Sequence, residues 1–593
     1  MGEPTQADPL VNGRSKVDHI SLSSLSFWLC FVCAAGVNAL LLWFFHNHFW
    51  YAPDEGNYAH VAERILQGEV LNLNVQDVHA GYINFVNAGA LWLFGLDLVS
   101  LRYPLIAIAF IQAILIFFLF YRLGRRRLAI PAAIAINALG VIQFLNPSSN
   151  WYSLFLVILI ICCLEWIPRS VRSRLLIVGF LIGTLFLFRQ LSGVIICMAV
   201  LAYLLIEDRS FHTSATAANT LFARLVIAIM AMGLGAYVIR ATDILALALF
   251  GSCPLLILVW LFAKTTTTNR QVFTILGSLA VGGLVACLPL IAYHLVHGSL
   301  QFWLNDAVLS AVNLTRLSFM GQQLYTKIIY FGFRQIGEVS SIGELLNIPY
   351  WITLHLLAFT NGVLVLRSLS REGVMTYALP VVAAFYGIVS IHFQIPIYLY
   401  YSAGLALVGI LCLLPLKSKV QYTALSLSLL MCGIAVFYHA GQPLSSRLAD
   451  LFGGVRNVMS LSQQVSSIPR VSLKIEADDD ARYSAILKVI ESETRPEDTI
   501  FALPTNAELY FLSGRRNPFR FYNTALGIRT ESDLRQVKET IVARPPKLVL
   551  FRQDDKYNTD YSREVMQLVE ERYHFLGQTS GFSVYRVRQN PAE

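Results

Sequence analysis

The stretch LSFWLCFVCAAGVNALLLWFFHNHFWYAPDEGNYAHVAERILQ, residues 25–67, decides how the chain folds. Residues 25–45 carry no charge and are long enough, as a helix, to cross about 30 Å of hydrocarbon. An acidic pair follows, Asp54-Glu55, directly behind Pro53. Beyond it Tyr58, Val61, Ala62, Ile65 and Leu66 recur at helical spacing on one face, with Asn57, His60, Glu63, Arg64 and Gln67 on the other. A helix of this kind is expected to lie in the membrane interface and to hold both acids just above the hydrocarbon, at the depth of a lipid head group. That placement points to chemistry on a lipid-linked substrate.

Apolar runs like 25–45 recur through the 593 residues, which are 56% hydrophobic and 14% charged, with a mean hydropathy of +0.57. Such a balance excludes an ordinary soluble enzyme and specifies a polytopic α-helical membrane protein. The net charge of +8 is no sign of nucleic acid, because Lys and Arg gather in short loops. These are Arg14 and Lys16; Arg122, Arg125, Arg126 and Arg127; Arg169, Arg172 and Arg174; Lys264 and Arg270; Arg367 and Arg371; and Lys417 and Lys419. With about thirteen spans, all six groups fall on one side, which the positive-inside rule makes cytoplasmic. Residues 1–20 are then a cytoplasmic tail without a cleavable signal, and 21–440 the membrane domain, with a first outer loop at about 46–100. The chain ends outside.

Two regions depart from regular spans. Segment 175–206 is long for one span and short for two, with Arg189-Gln190 at its middle, and 295–344 mixes polar and apolar residues as interfacial helices would. All nine cysteines lie in apolar segments, so no disulfide framework is implied, and Cys30-x-x-Cys33 reads as packing inside the first span. Composition changes after Ala440. Residues 441–593 hold most of the acids and no span-length apolar run. Helices near 482–493, 531–543 and 562–572 alternate with strands near 499–503, 547–551 and 581–587, which specifies a small extracytoplasmic α/β domain. It has no glycine loop to cradle a phosphate, so cover, acceptor docking or stabilisation are its expected roles.

The acidic pair, the run YAHVAERILQGE (58–69), and HAGYINF (79–85), LWLFG (91–95), SLRYP (100–104) and YRLGRR (121–126) together resemble the membrane glycosyltransferases of the GT-C class. Within it they are most similar to the protein O-mannosyltransferase and aminoarabinose (lipid A) transferase group. The segment PEDTIFALPTNAELYFLSGRR (496–516) resembles a domain carried by many bacterial members whose acceptor is unassigned. The resemblance implies a GT-C-like fold in a bacterial inner membrane. It implies an inverting hexosyl- or pentosyltransferase that takes its sugar from a polyprenyl phosphate. The acceptor would be an envelope lipid, glycan or protein. The phosphate leaves without a strong acid, whereas the acceptor needs a base.

By that resemblance Asp54 is the base and Glu55 its supporting or metal-binding partner; as plain structure, the same two acids would cap their helix. Arg189, with Gln190, is the cation expected at the donor phosphate, since an Arg in so apolar a run needs an interface or an anion. Arg102 in the LRYP run is either a second such cation or an interface anchor. His392, Tyr398, Tyr400 and Tyr401 stand where relatives enclose donor or acceptor, and also where an aromatic belt would stand. His79 and Tyr82 occupy a turn where the family often has a Pro-Pro-Gly-Tyr-like sequence and this chain has Ala80-Gly81-Tyr82; His79 could assist there, but reads first as a surface histidine. Many relatives have an acid at the position of Asn150, and an amide is a poorer ligand for Mg or Mn, so a divalent cation is not clearly implied. Asp306 and Glu338 read as solvated outer-face acids. A lipid or polysaccharide flippase is the main alternative, but no repeat of the transporter kind is visible and the spans are almost free of charge. A non-catalytic envelope-assembly protein fits less well, because the acidic pair is intact.

Overall fold

In hydrocarbon every backbone polar group must be paired within its own element, so the apolar runs become helices. A computed structural model of the protein describes residues 25–171, 173–209, 218–310, 325–327, 329, 342–372, 377–414, 419–440 and 463–588. Its first helices are α1 (Leu25–Phe45), α2 (Ala52–Leu66), α3 (Tyr82–Phe94), α4 (Arg102–Arg122), α5 (Ala129–Ala138) and α6 (Ser149–Trp166). Then come α7 (Ser173–Phe188), α8 (Gln190–Arg209), α9 (Leu221–Ala241), α10 (Ser252–Lys264) and α11 (Asn269–Val296). The last of this region are α12 (Ile342–Glu372), α13 (Ala378–Tyr386), α14 (Pro396–Leu413) and α15 (Lys419–Ile434). Among the described residues eight helices are long and apolar enough to cross a membrane, and five further apolar helices are shorter. The chain is a polytopic helical membrane protein.

Small residues and buried amides set the helix packing. Gly179 and Gly183 of α7 lie against the α11 backbone at Leu279 and Gly283, so close that a Cβ at either position would collide with it. Asn137 of α5 donates to the Asn38 side chain of α1 at 2.8 Å and accepts from Gln112 of α4 at 2.6 Å, which satisfies three buried amides together. The ambiguous segment 175–206 is two helices. They fold back on each other at Arg189, and Gly193 rests against the Phe186 backbone.

Basic residues from three of these loops meet at one end of the bundle, while Arg14, Lys16, Arg172 and Lys417 lie outside the described residues. There Arg125 donates to the Leu414 carbonyl at 2.8 Å, Arg174 pairs with Glu207 at 2.9 Å, and Arg169 pairs with Asp208. At the other end residues 463–588 form an α/β unit. It comprises β1 (Gln463–Val465), β2 (Lys474–Glu476), α16 (Ala477–Glu493), β3 (Ile500–Leu503), α17 (Ala507–Ser513), α18 (Glu531–Ala543), β4 (Leu548–Phe551), α19 (Asp560–Arg572), β5 (Tyr573–Thr579) and β6 (Phe582–Val587). The four-stranded sheet has the order β3-β4-β6-β5, with β3 and β4 parallel and the other pairs antiparallel. The expected three helices and three strands are all present. The sequence reading missed β5, whose strand begins at Tyr573 where α19 stops at Arg572, and also missed the short α17 and the β1–β2 ribbon.

The C-terminal unit is fastened to the 46–98 segment by backbone as well as side chains. Phe49 N donates to Lys474 O at 2.8 Å, Lys474 N to Asn47 O at 2.7 Å, Gln76 N to Arg520 O at 2.7 Å and Leu98 N to Arg470 O at 2.9 Å. Asp306 corrects its expectation as a solvated acid. It is fully buried and takes Asn72, Gln76 and the Arg520 guanidinium. Glu338 and most of 311–341 lie outside the described residues.

Helix α2 departs from the expected interfacial helix in a way that matters for function. Its polar face is covered, not solvated: His60, Glu63 and Arg64 are all buried. His60 stacks on Tyr510 at 4.8 Å, Glu63 pairs with Arg470 at 2.8 Å, and Arg64 donates to the Phe519 carbonyl at 2.8 Å. The polar face was made for the C-terminal unit, a partner that periodicity within α2 does not reveal. Gly56 permits the contact, because a Cβ there would strike the Glu508 backbone and Cβ in α17. Gly56→Val should therefore cost about 1–3 kcal/mol as overpacking. The expected readouts are a lower melting temperature of the detergent-purified protein and faster proteolysis after residue 463. An unchanged melt would show that α2 and α17 are not held in contact.

Candidate active site

The two acids at the start of α2 have different surroundings. Tyr51 is the N-cap without a side-chain cap, and Pro53 occupies a first-turn position where no N–H is needed. Glu55 turns back, accepting from Tyr51 N at 3.3 Å, and pairs with Arg102 at 2.7 Å, both side chains being 1% exposed. Arg102 also donates to the carbonyls of His46 and His48 at 3.0 Å each, and to that of Phe49 at 2.5 Å. This guanidinium is occupied by protein atoms. The pair ties the α1–α2 connection to the start of α4.

Asp54 is left untethered. Among the described residues no hydrogen bond or ion pair engages its carboxylate, which is half-buried. Burial, with the neighbouring Glu55 charge, pushes its pKa up to about 6, against the opposing charges of Lys556 and His79. A carboxylate so placed is ionised at neutral pH yet basic enough to accept a proton.

His79 faces the same space. Its Nδ1 is 2.9 Å from Asp77, which also accepts from Asn84 at 2.5 Å and from the Tyr522 hydroxyl at 3.5 Å. Burial works against a charged imidazole here, but Asp77, through charge and hydrogen bond, outweighs it and raises the His79 pKa. Asp77 itself is held low, burial being overcome by His79 and Asn84. The ring lies 5.7 Å from that of Tyr58, one turn along α2 from Asp54.

Arg189 comes from the membrane side, at the tip of the α7–α8 hairpin. It is 7% exposed, its guanidinium stands 5.4 Å from the Tyr398 ring, and its Nη1 has no hydrogen-bond partner among the described residues. Gln190 fixes the tip by donating to the carbonyls of Val78 at 3.1 Å and Ala307 at 2.9 Å, which sets Arg189 beside the His79 loop. Asp54 and Arg189 act on a common set of groups, namely His79, Tyr398 and Tyr401. His392 joins this group of side chains, 6.2 Å from Tyr398 ring to ring.

Other residues singled out in the sequence are placed elsewhere. Tyr400 is fully buried against Trp351 at 5.9 Å, on a different face of α14 from Tyr398 and Tyr401. Tyr82 spends its hydroxyl on the Ala286 carbonyl at 2.8 Å, linking α3 to α11. Asn150 is buried in the first turn of α6, its side-chain oxygen without a partner among the described residues. Among those residues no group of three His, Cys, Asp or Glu is arranged to hold a metal ion.

Sequence reasoning missed Asp77, Asn84, Tyr522, Lys556 and Tyr557. For Asp77 a signal existed in its spacing two residues before His79. For the last three there was none, because they come from the far end of the chain. A cleft of about 430 Å³ opens between membrane and C-terminal regions, walled by Phe45, Tyr51, Phe144, Tyr483 and Arg552.

No family model matches the chain, and no curated protein matches it. Among solved structures it is similar to the Archaeoglobus fulgidus oligosaccharyltransferase in complex with Zn and sulfate, at 13% identity and a TM-score of 0.40, over 88% of this chain and 68% of that one. It is also similar to ArnT from Cupriavidus metallidurans bound to undecaprenyl phosphate, at 12% identity and a TM-score of 0.39, over 95% and 98% of the two chains. Similarity at that level does not say what this chain binds.

The Glu55–Arg102 pair gives a stability prediction. Glu55→Gln removes one partner of a fully buried ion pair, which costs about 3–5 kcal/mol. The purified variant should melt lower and load poorly into membranes. A Glu55→Gln protein with wild-type stability would show that Arg102 does not depend on Glu55.

Proposed function

We propose that this chain is an inverting glycosyltransferase that moves a sugar from a polyprenyl-phosphate donor to a hydroxyl or amine acceptor at the outer face of the membrane. The observation that carries this is that an untethered Asp54 carboxylate and a buried, partly unpartnered Arg189 guanidinium both act on His79, Tyr398 and Tyr401. A base and an anion-binding cation are what such a displacement requires.

In this reading Arg189 and the His79 imidazolium bind the donor phosphate, and the polyprenyl chain stays in the bilayer. Asp54 takes the proton from the acceptor O–H or N–H as that atom bonds to the anomeric carbon. The bond from that carbon to the phosphate oxygen breaks, and its electron pair leaves with the polyprenyl phosphate. Attack from the face opposite the phosphate inverts the anomeric centre. Glu55 and Arg102 hold the frame, and Asp77 keeps His79 charged and oriented. In this reading the basic end of the bundle faces the cytoplasm and the C-terminal unit lies outside, which the positive-inside rule supports. The resemblance of residues 50–127 to GT-C enzymes supports the same assignment. A flippase is disfavoured because Asp54 stands at the start of α2, outside the spans, whereas transporters place their ionisable residues near the bilayer midplane.

Asp54→Asn keeps shape and removes the base, so transfer should fall by about 10²–10⁴ in a protein that still purifies as one species. Near-normal turnover in that variant would return Asp54 to a structural role. The pH profile should have two limbs. Activity falls as pH drops through about 6, where Asp54 takes up a proton, and falls again on the alkaline side once His79, held above its ordinary value, loses its own. A profile flat through the acid region would exclude Asp54 as the base. Arg189→Ala should weaken binding of undecaprenyl phosphate about ten-fold, and Arg189→Lys by less, since Lys keeps charge without the planar fork. Equal binding by both variants and wild type would make Arg189 only an anchor.

A further inference from the structure

The loop between β4 and α19, residues 552–559, has no role in the mechanism above, yet the fold carries it to Asp54. Strands β3 and β4 are parallel, so the loops that follow them leave the sheet at the same edge, where α/β folds commonly bind ligands. The first of these loops leads into α17, which Gly56 packs against α2. The second lies beside the first: Arg552 N donates to Leu503 O at 3.0 Å, and Thr505 donates to Asp555 at 3.3 Å. It also reaches the residues just before Asp54, because Arg552 shares the cleft wall with Tyr51 and Pro53.

The loop is internally braced. Asn558 donates to the carbonyls of Arg552 at 3.0 Å and Gln553 at 2.6 Å, and Tyr557 N donates to Asp555 at 2.9 Å. Lys556 lies exposed on it, its ammonium 5.4 Å from the Tyr557 ring. Of the cations acting on Asp54, Lys556 is the foremost, ahead of His79, and of the charges acting on the Tyr557 phenol, Asp54 is the foremost.

We propose that this loop is the acceptor side of the active site, with Lys556 binding an anionic group, phosphate or carboxylate, that the acceptor carries beside its attacking atom. The proposal rests on the transferase reading of Asp54. It assigns Lys556 to the acceptor because the donor phosphate is tied to the bilayer by its polyprenyl chain, where Arg189 and His79 meet it. In an inverting displacement the acceptor arrives from the face opposite the phosphate, and the loop comes from the C-terminal unit, whereas Arg189 comes from the α7–α8 hairpin of the membrane region. The unit is then part of the site and selects the acceptor.

Two measurements on the full-length protein test this. In the first, Asp54→Cys with Lys556→Cys is treated with a short bis-maleimide and mapped by mass spectrometry; a cross-link is expected, and its absence overturns the proposal whatever the reaction. In the second, cells lacking the protein receive wild type, Lys556→Glu, Lys556→Arg or Asp54→Asn. The envelope species whose mass depends on the protein is then quantified. Lys556→Glu should lower it about ten-fold and Lys556→Arg should largely restore it, while binding of undecaprenyl phosphate to the purified variants changes less than about two-fold. Fragmentation of that species reads whether the anion is a phosphate or a carboxylate. Normal product with Lys556→Glu, or an equal loss of undecaprenyl phosphate binding, overturns the acceptor assignment while leaving the transferase reading intact. Normal product with Asp54→Asn sinks both.

Discussion

A buried guanidinium and carboxylate, Arg102 and Glu55, fix the site. Taking both out of water is expensive, and the cost is offset only because Arg102 is bonded on every side, to Glu55 and to the carbonyls of His46, His48 and Phe49. Those carbonyls belong to the connection leaving α1, where regular helix bonding has ended and acceptors would otherwise be unpaired. The pair thereby sets the direction in which α2 starts. It also divides the two adjacent acids, since Glu55 is bound into the frame and Asp54 is left untethered. Side by side in the sequence, they differ in what surrounds them.

Three separate parts of the chain then converge on Asp54. The 77–79 turn brings an imidazole whose pKa is raised by Asp77 against burial. The α7–α8 hairpin brings Arg189, held in register with that turn by Gln190. The C-terminal unit brings Tyr522 to Asp77 and the 552–559 loop to the start of α2. Backbone bonds between that unit and residues 47–98 make the arrangement a single body, so His79 from the first loop and Lys556 from the unit act on the same carboxylate. In surroundings of low dielectric such charges act strongly on one another and on any phosphate that enters.

The membrane architecture was legible because hydrocarbon leaves few alternatives: apolar length gives helices. The helix from Ala52 was legible from its period, but its environment was not. His60, Glu63 and Arg64 read as a solvated face because a covered polar face and a wet one have the same local pattern. Asp306 was misjudged for the same reason, its partners Asn72, Gln76 and Arg520 being far away in sequence. Asp54 and Arg189 stood out because each is costly where it lies. Lys556 did not, since a lysine in a polar loop looks like any other until the fold brings it to a carboxylate.

The central claim is that a polyprenyl phosphate docks with its phosphate between Arg189 and His79, next to Asp54. The direct measurement is photo-cross-linking with a polyprenyl phosphate that bears a diazirine close to its phosphate, mapped on the full-length protein in nanodiscs. Labelling confined to peptides containing His79, Arg189 or Tyr398, and suppressed by excess undecaprenyl phosphate, is the predicted result. Labelling that leaves those peptides untouched and gathers at the basic end of the bundle would contradict the account.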